Sequence, residues 1–379
     1  MLLSICIPTH HGRRKVLGEA VQSVLSQMTD ELRGRVEVCI SDNASADGTK
    51  ELVEGYSRAY GDFLVYHRSE VNKQFIGNMI HLVEMARGKY CWFLGSDDQL
   101  AGGAGIAKVL QILEQHPDTA GVSVNWADFY KWVDTETGSE REGEPTDWSN
   151  DYLLPENCDR THVYTSADEI LLHCGIPHTY ISSNIVAKKL WMDVVEEEGV
   201  EKIANYFYYP HTYIMGLMSK KHPKWVWCPD KLIKHRTGND AMVEFLNGEY
   251  HTQTMAVMDD TSNVWSALLG RKSPIYKNLM YKQSLWAWTP RSIRWIKSHP
   301  NYDSLGADLV MLRKFTKHLH FVPGFWFKTF PILLTPHILM PDKNIILRTF
   351  RRTKNSFLYR SGIVWEIGTS YLKKREGSR

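Results

Sequence analysis

The chain has 379 residues, of which 43% are hydrophobic, and a formal net charge of +2. That is enough apolar material for a sizeable core, so a disordered chain is excluded, and the length suggests two domains or one domain with a large appendage. The near-neutral sum hides an asymmetry. Arg271 to Arg379 holds 21 Lys and Arg against 5 Asp and Glu, a net +16, while the preceding residues carry −14. The two parts therefore face different partners.

Cys6, Cys39, Cys91, Cys158, Cys174 and Cys228 form no CxxC pair, and the first three lie in apolar strand-like runs. They read as small buried hydrophobes of a reduced compartment. The chain opens on MLLSICIPTH, without a basic leader or cleavage site, so no signal peptide is expected. No window reaches 18 uninterrupted apolar residues, so no spanning helix is expected.

Leu2 to Ile7 reads as a first parallel strand ended by Pro8. After a polar loop, Val16 to Met28 carries the spacing of an amphipathic helix. Val36 to Ile40 repeats the strand pattern and runs into Ser41 to Thr49, a polar cluster ending in a helix cap. Phe63 to His67 is a third strand, Phe75 to Ala86 a helix closed by Gly88, and Tyr90 to Leu94 a fourth strand. Strands alternating with helices in this way predict right-handed βαβ units and a parallel sheet covered on both faces.

The fourth strand runs into Gly95, Ser96, Asp97 and Asp98. The carboxyl edge of an open α/β sheet is where ligands bind, and paired Asp side chains there are hard oxygen donors suited to Mg²⁺ or Mn²⁺ beside a diphosphate. An acidic turn closing a strand is the alternative.

Further on, Ile106 to Gln115 reads as a helix, Ala120 to Val124 as an apolar run, and Asp134 to Arg160 as a long polar loop or lid near the site. Short helices are expected at Asp168 to Leu172, Lys188 to Glu198 and Tyr206 to Ser219. A strand or turn is expected at Thr179 to Ala187 and a last strand at Trp225 to Ile233. Lys234 to Asp240 reads as a polar loop. The domain boundary is placed at about Asp240, giving a catalytic domain over 1–240 and a mostly helical, basic and aromatic region over 241–379.

The segments Ser4-Ile-Cys-Ile-Pro-Thr9, Asp42-Asn-Ala-Ser-Ala-Asp-Gly-Thr49, Asn72 with Asn78, and Phe93-Leu-Gly-Ser-Asp-Asp98 occur in order and at fitting spacing. They resemble a family 2 glycosyltransferase of the GT-A fold, strongly to about Leu113 and weakly to Asp240. Gly95-Ser-Asp-Asp98 is similar to the version in abequosyltransferase-like members. The resemblance implies an α/β fold with a mixed nucleotide-binding sheet flanked by helices. It places Pro8, Thr9, Asp42, Asn72, Asn78 and Asp97 on the nucleotide-sugar, with Asp42 accepting a hydrogen bond from the base. Read from the residues alone, Asp42 would be an Asx turn, and Asp47 and Thr49 are caps. Arg68 and Lys73 could add contacts.

The family's metal motif is usually Asp-x-Asp, and Gly95 stands at its first position. Asp97 and Asp98 are assigned jointly to Mn²⁺ or Mg²⁺ and the ribose, with His235 as a late metal or phosphate ligand. An inverting transfer needs a general base. No carboxylate stands in Asn205 to His211, so His211 is the nearest candidate, and Asp128, just after the Ala120 to Val124 run, competes with it. A structural histidine is the alternative for His211.

The basic tail interleaves Trp286, Trp288, Trp295, Trp326, Phe327 and Trp365 with Lys and Arg, and Phe321 to Met340 is apolar but broken by Pro323, Lys328, Pro331 and Pro336. This suits an interfacial segment on an anionic membrane. Nucleic-acid binding and a solvated oligomerising appendage are the alternatives. Together these features predict an inverting, metal-dependent hexosyltransferase. It would move a sugar from a nucleotide-sugar to a lipid-linked or polysaccharide acceptor in bacterial surface glycan synthesis. It would be cytoplasmic and peripheral on the inner face of the cytoplasmic membrane, with no nucleic-acid partner. A GT-A nucleotidyltransferase and an inactive glycan-binding scaffold are the rival readings.

Overall fold

A computed structural model describes residues 1–133, 140–142, 159–237, 250–286, 288–297, 302 and 305–339. Strands β1 (Leu3–Thr9), β2 (Val36–Asp42), β3 (Leu64–Arg68) and β4 (Tyr90–Phe93) alternate with helices α1 (Arg14–Leu25), α2 (Thr49–Tyr60) and α3 (Gln74–Met85). All pairings among these strands are parallel, β2 joining β1 to β3 and β4 lying on the other flank of β1. Val16, Leu17, Ala20, Val21, Val24 and Leu25 of α1 are buried, as their spacing requires.

Strand β1 does not stop at Pro8. It pairs with β2 through Thr9, opposite Asp42. The Cys6 carbonyl faces β4, accepting from Leu94 N, so Pro8 faces the same flank just where β4 has ended. Its missing N–H therefore costs no ladder bond. Gly88 allows close approach, since a Cβ there would lie 2.6 Å from Ser4 N.

Beyond β4 the sheet becomes mixed. After β5 (Gln99–Leu100) and α4 (Gly105–Gln115) comes the long β6 (Gly121–Val133), with β7 (Glu140–Glu142), β8 (His162–Tyr164), β9 (Asn184–Ala187) and β10 (Trp225–Thr237) following. The order is β3-β2-β1-β4-β9-β6-β10-β5, with β9 antiparallel to both neighbours and β10 parallel to β6. Two expectations are corrected here. Asp128 lies inside β6 rather than after a strand, and Lys234, His235 and Arg236 lie in β10 rather than in a loop. Polar residues on paired strands need a reason to be there, and the site supplies it. The expected lid over Asp134 to Arg160 lies mostly outside the described residues.

Helices α5 (Ala167–Thr179), α6 (Lys188–Glu198), α7 (Val200–Ala204) and α8 (Pro210–Lys221) cover one side. Ser166 caps α5 reciprocally with Glu169. Helices α9 (Tyr250–Leu269), α10 (Pro274–Trp286), α11 (Pro290–Lys297), α12 (Leu305–Leu319) and α13 (Phe330–Leu334) follow. Leu268 and Leu279 pack on Gly216 of α8 and Gly175 of α5, so the helical region shares one hydrophobic core with the sheet domain. Cys6, Cys39, Cys91, Cys174 and Cys228 are free and buried; Cys158 lies outside the described residues.

Candidate active site

The chain leaves β4 through a turn in which Asp98 N donates to Gly95 O at 3.1 Å. The acidic-turn reading is thus literally correct, and it does not exhaust the site. Asp98 is buried. Its Oδ2 accepts from Ser182 Oγ at 2.5 Å and Tyr180 O–H at 2.7 Å, and its Oδ1 accepts from Arg236 N at 3.0 Å. Burial and the neighbouring Asp97 raise its pKa to about 6, against the pull of His235, Ser182 and Tyr180. Asp97 is the more open acid, its side chain 24% exposed, with Oδ2 on Arg13 Nη1 at 3.1 Å.

Gly95 is explained by the same turn. A Cβ there would lie 3.0 Å from Asp98 Oδ2, 3.2 Å from Asp97 Oδ1 and 3.3 Å from Ser182 Oγ. A side chain at this position would crowd the two acids that follow and force them to shift by a few tenths of an ångström, so glycine in place of the usual acid gives them room.

Arg236 closes the site from β10. Its Nε donates to Asp97 O at 2.8 Å, its Nη2 pairs with Glu19, and its guanidinium lies 4.9 Å from the Phe129 ring centre. The parallel register places His235 beside Asp128, and His235 Nδ1 meets Asp128 Oδ1 at 2.9 Å. Burial opposes charge on His235, but the bond to Asp128 and the charges of Asp98 and Asp97 prevail, and its pKa is pushed up to about 9. Asp128 is thereby committed to His235.

Sequence reasoning missed Arg13, Glu19, Tyr180, Ser182 and Arg236. The only signal for Arg236 was its place in Lys-His-Arg-Thr-Gly. Nothing local marked Tyr180 or Ser182, which act only because β9 runs antiparallel beside β4.

The second part of the site lies at the ends of β1, β2 and β3. Asp42 is buried, with Oδ1 accepting from Ser45 N at 2.9 Å and Oδ2 from Tyr66 O–H at 2.8 Å. Asn78 is also buried and ties Ser41 to α3 through a Ser41 Oγ donor at 2.7 Å. Asn72 accepts from Asn43 Nδ2 at 2.8 Å and Gln74 N at 2.7 Å, clasping the second and third loops. Asp42, Asn72 and Asn78 therefore shape these loops through internal bonds. Arg68 Nε is held on Ser45 O at 2.8 Å, and Asp47 accepts from Gly12 N and Thr49 Oγ1, but the cap position of α2 is Gly48, and Thr49, expected as a cap, is its first helical residue. Thr9 Oγ1, Ser45 Oγ and Ser69 Oγ are buried along this edge without a hydrogen-bond partner among the described residues. Buried hydroxyls are normally satisfied, so these three fit a polar ligand. Pro8 brings Thr9 to this edge.

His211 stands in the first turn of α8. It is buried, Nε2 faces Thr179 O at 3.3 Å, and Nδ1 has no partner among the described residues. Burial lowers its pKa to about 4, against a raising bond to Thr179, so the ring is neutral at pH 7. The segment from Thr179 to Ser182 touches both His211 and Asp98, which makes it the bridge between the base candidate and the acid pair.

Among the described residues no group of three His, Cys, Asp or Glu side chains already converges at ligand geometry. The donor chemistry nonetheless fits a hard divalent cation. Among the described residues Asp97 Oδ1 has no partner, and Asp128 on His235 Nδ1 would leave Nε2 for a cation that displaces its proton, the carboxylate–histidine arrangement found behind metal-binding imidazoles. Asp98 would contribute through lone pairs its present donors leave unused.

Parallel βαβ units, a mixed second half and acids at the carboxyl end of the fourth strand define a sheet of the GT-A type. Residues 4–166 match the family model for Glycosyl transferase family 2. The abequosyltransferase RfbV of Salmonella typhimurium is 34% identical over 224 residues, 57% of this chain and 60% of that protein. The match thus spans less than two-thirds of that relative's length. A Campylobacter jejuni GalNAc(5)-diNAcBac-PP-undecaprenol beta-1,3-glucosyltransferase is 32% identical over 27% of this chain and 31% of its own. In fold, the chain is similar to S. aureus TarS solved with UDP-GlcNAc, at a TM-score of 0.51 and 13% identity, over 85% of this chain and 82% of that one.

Proposed function

We propose that this protein is an inverting, metal-dependent glycosyltransferase that moves a sugar from a nucleotide-sugar to a lipid-linked glycan in bacterial surface polysaccharide synthesis. It would work at the inner face of the cytoplasmic membrane. The observation that carries the reading is the acid pair after β4. Asp98 is clamped by Tyr180, Ser182 and Arg236, and Asp97 is left partly open, on the sheet edge that also holds the three hydroxyls without a partner among the described residues. The similarity to bacterial glycan-building enzymes supports the acceptor class.

In this reading the hydroxyls of Thr9, Ser45 and Ser69 bind the nucleoside, and Asp42, Asn72 and Asn78 hold the loops that present them. Asp97, Asp98 and His235 would hold Mn²⁺ or Mg²⁺, which would neutralise charge on the departing diphosphate. Asp128 orients His235. The acceptor hydroxyl gives its proton to His211 as its oxygen bonds to the sugar carbon and the bond to the diphosphate breaks. His211→Ala should lower kcat by about 10²–10⁴-fold with donor KM little changed. An unchanged kcat would move the base role to another group.

Screening UDP-, GDP-, CDP- and dTDP-sugars for hydrolysis, with and without chelator, tests the whole reading. Release of a nucleoside diphosphate that stops with chelator and returns with Mn²⁺ is expected. A nucleotidyltransferase would leave the sugar nucleotides intact and release pyrophosphate only when given a nucleoside triphosphate and a sugar phosphate, and a scaffold would release nothing from either.

A further inference from the structure

The C-terminal part of the structure is firmly held, yet it turns apolar side chains towards water. Lys297, at the end of α11, is buried. Its Nζ donates to the carbonyls of Ile332, Leu333 and Thr335 at 3.3, 3.1 and 2.5 Å and pairs with Asp308 at 2.8 Å. Asp308 in turn accepts from His337 N and Tyr302 O–H, at 2.9 and 3.0 Å. A buried ion pair is costly unless its remaining hydrogen-bonding capacity is satisfied, and here it is. The network pins residues 332–337 against α11 and α12.

What it presents is unusual for a free surface. Phe327 is 89% exposed, Ile338 78%, Leu339 69% and Leu309 67%. Leu309 follows Asp308 in sequence and Ile338 follows His337, so the Asp308–His337 contact brings the two apolar stretches together. Along the exposed side of α12, Leu305 and Leu309 give way at helical spacing to Arg313 and Lys317, and Lys328 adjoins Phe327. Large apolar side chains this exposed, two stretches of them joined at Asp308–His337, suit an interaction surface.

Charge decides the occupant. Between residues 271 and 339 there are 11 Lys and Arg against 2 acids, Asp303 and Asp308, the second of which is used in the buried pair. A second copy would meet like charge across the face. No described helix is long and apolar enough to cross a membrane. Aliphatic and aromatic tips rimmed by Lys and Arg suit the boundary between headgroups and acyl chains. We propose that the exposed apolar side chains of Leu309, Phe327, Ile338 and Leu339, together with the basic Arg313, Lys317 and Lys328, dock on an anionic lipid bilayer. This rests on the lipid-linked acceptor reading and deepens it by naming the surface.

The test is co-sedimentation of the full chain with vesicles of phosphatidylglycerol and phosphatidylcholine, alongside phosphatidylcholine alone. Binding to the mixed vesicles is expected, weaker by about tenfold or more without the anionic lipid. Phe327→Asp with Ile338→Asp should weaken it at least about tenfold, and Arg313→Glu with Lys317→Glu and Lys328→Glu should do the same while leaving donor hydrolysis unchanged. Binding by both variants at the parent level would overturn the proposal. So would a parent that is dimeric in sedimentation velocity and becomes monomeric in the aspartate variant, since the face would then join two copies. If vesicle binding behaves as expected but no sugar nucleotide is hydrolysed, the docking face stands and the catalytic reading falls.

Discussion

Asp97 and Asp98 are neighbours in sequence with different duties. Asp98 is a buried acceptor for Tyr180, Ser182 and the Arg236 backbone, so removing its carboxylate leaves three donors unpaired. Asp98→Ala should lose about 2–4 kcal/mol of stability, read by urea unfolding, along with activity. Among the described residues Asp97 holds only Arg13 through its side chain. Asp97→Asn is expected to keep stability within about 1 kcal/mol while lowering kcat/KM by about 10²-fold or more, as a lost transition-state contact would. Equal destabilisation by the two substitutions would remove this division of labour. The acid pair itself was legible in the sequence as a strand-end motif. The division was not, because Ser182 and Tyr180 reach Asp98 only through the fold.

Helix α8 illustrates how one element is positioned by another. The residues just before it are held by Asp260 of α9, whose Oδ2 accepts from Tyr208 N at 2.8 Å and Tyr209 N at 3.0 Å. His211 follows directly, so the helical region fixes the approach to the proposed base. Burial raises the Asp260 pKa to about 6, against the lowering effect of these backbone bonds. A raised carboxylate pKa means that the associated stability is fully present below the ordinary value, near 3.8, and is lost as pH rises through about 6. Asp260→Asn keeps an acceptor without the charge. It should exceed the parent in stability by up to about 3 kcal/mol at pH 8 and converge on it near pH 4, in urea unfolding at both pH values. An equal gap at both would show that Asp260 has ordinary acidity. Helical periodicity anticipated α8 within a few residues, but Asp260 looked like any polar position in a helix.

In the molecule as a whole, the division at about Asp240 does not coincide with a break in the core. Gly216 of α8 admits Leu268 of α9, and a Cβ there would lie 2.3 Å from Leu268 Cδ1. Gly216→Val should therefore cost about 1–3 kcal/mol by overpacking. It should also lower kcat, because displacing α9 disturbs the Asp260 anchor. Full activity in a destabilised Gly216→Val would show that docking of the helices does not reach the site. The tail's aromatics also divide by position. Trp288 is buried in the core, whereas Trp326 and Phe327 are exposed, so the basic and aromatic tail is part scaffold and part surface.

Local patterning was sufficient for the first four strands, their crossover helices and the acids at the sheet edge. Apolar periodicity, turn residues and strand-end carboxylates are all short-range features that survive in a linear string. Other properties depended on chain segments meeting across long separations. The β6 and β10 register made a pair of His235 and Asp128, which the sequence had offered for separate roles, a metal or phosphate ligand and a base. The antiparallel insertion of β9 brought Ser182 and Tyr180 to Asp98 and gave Gly95 its reason. The buried Lys297–Asp308 pair settled which tail side chains face outward. Each of these is a contact between residues whose identities carry no mark of their partner, so only the folded chain could assign them.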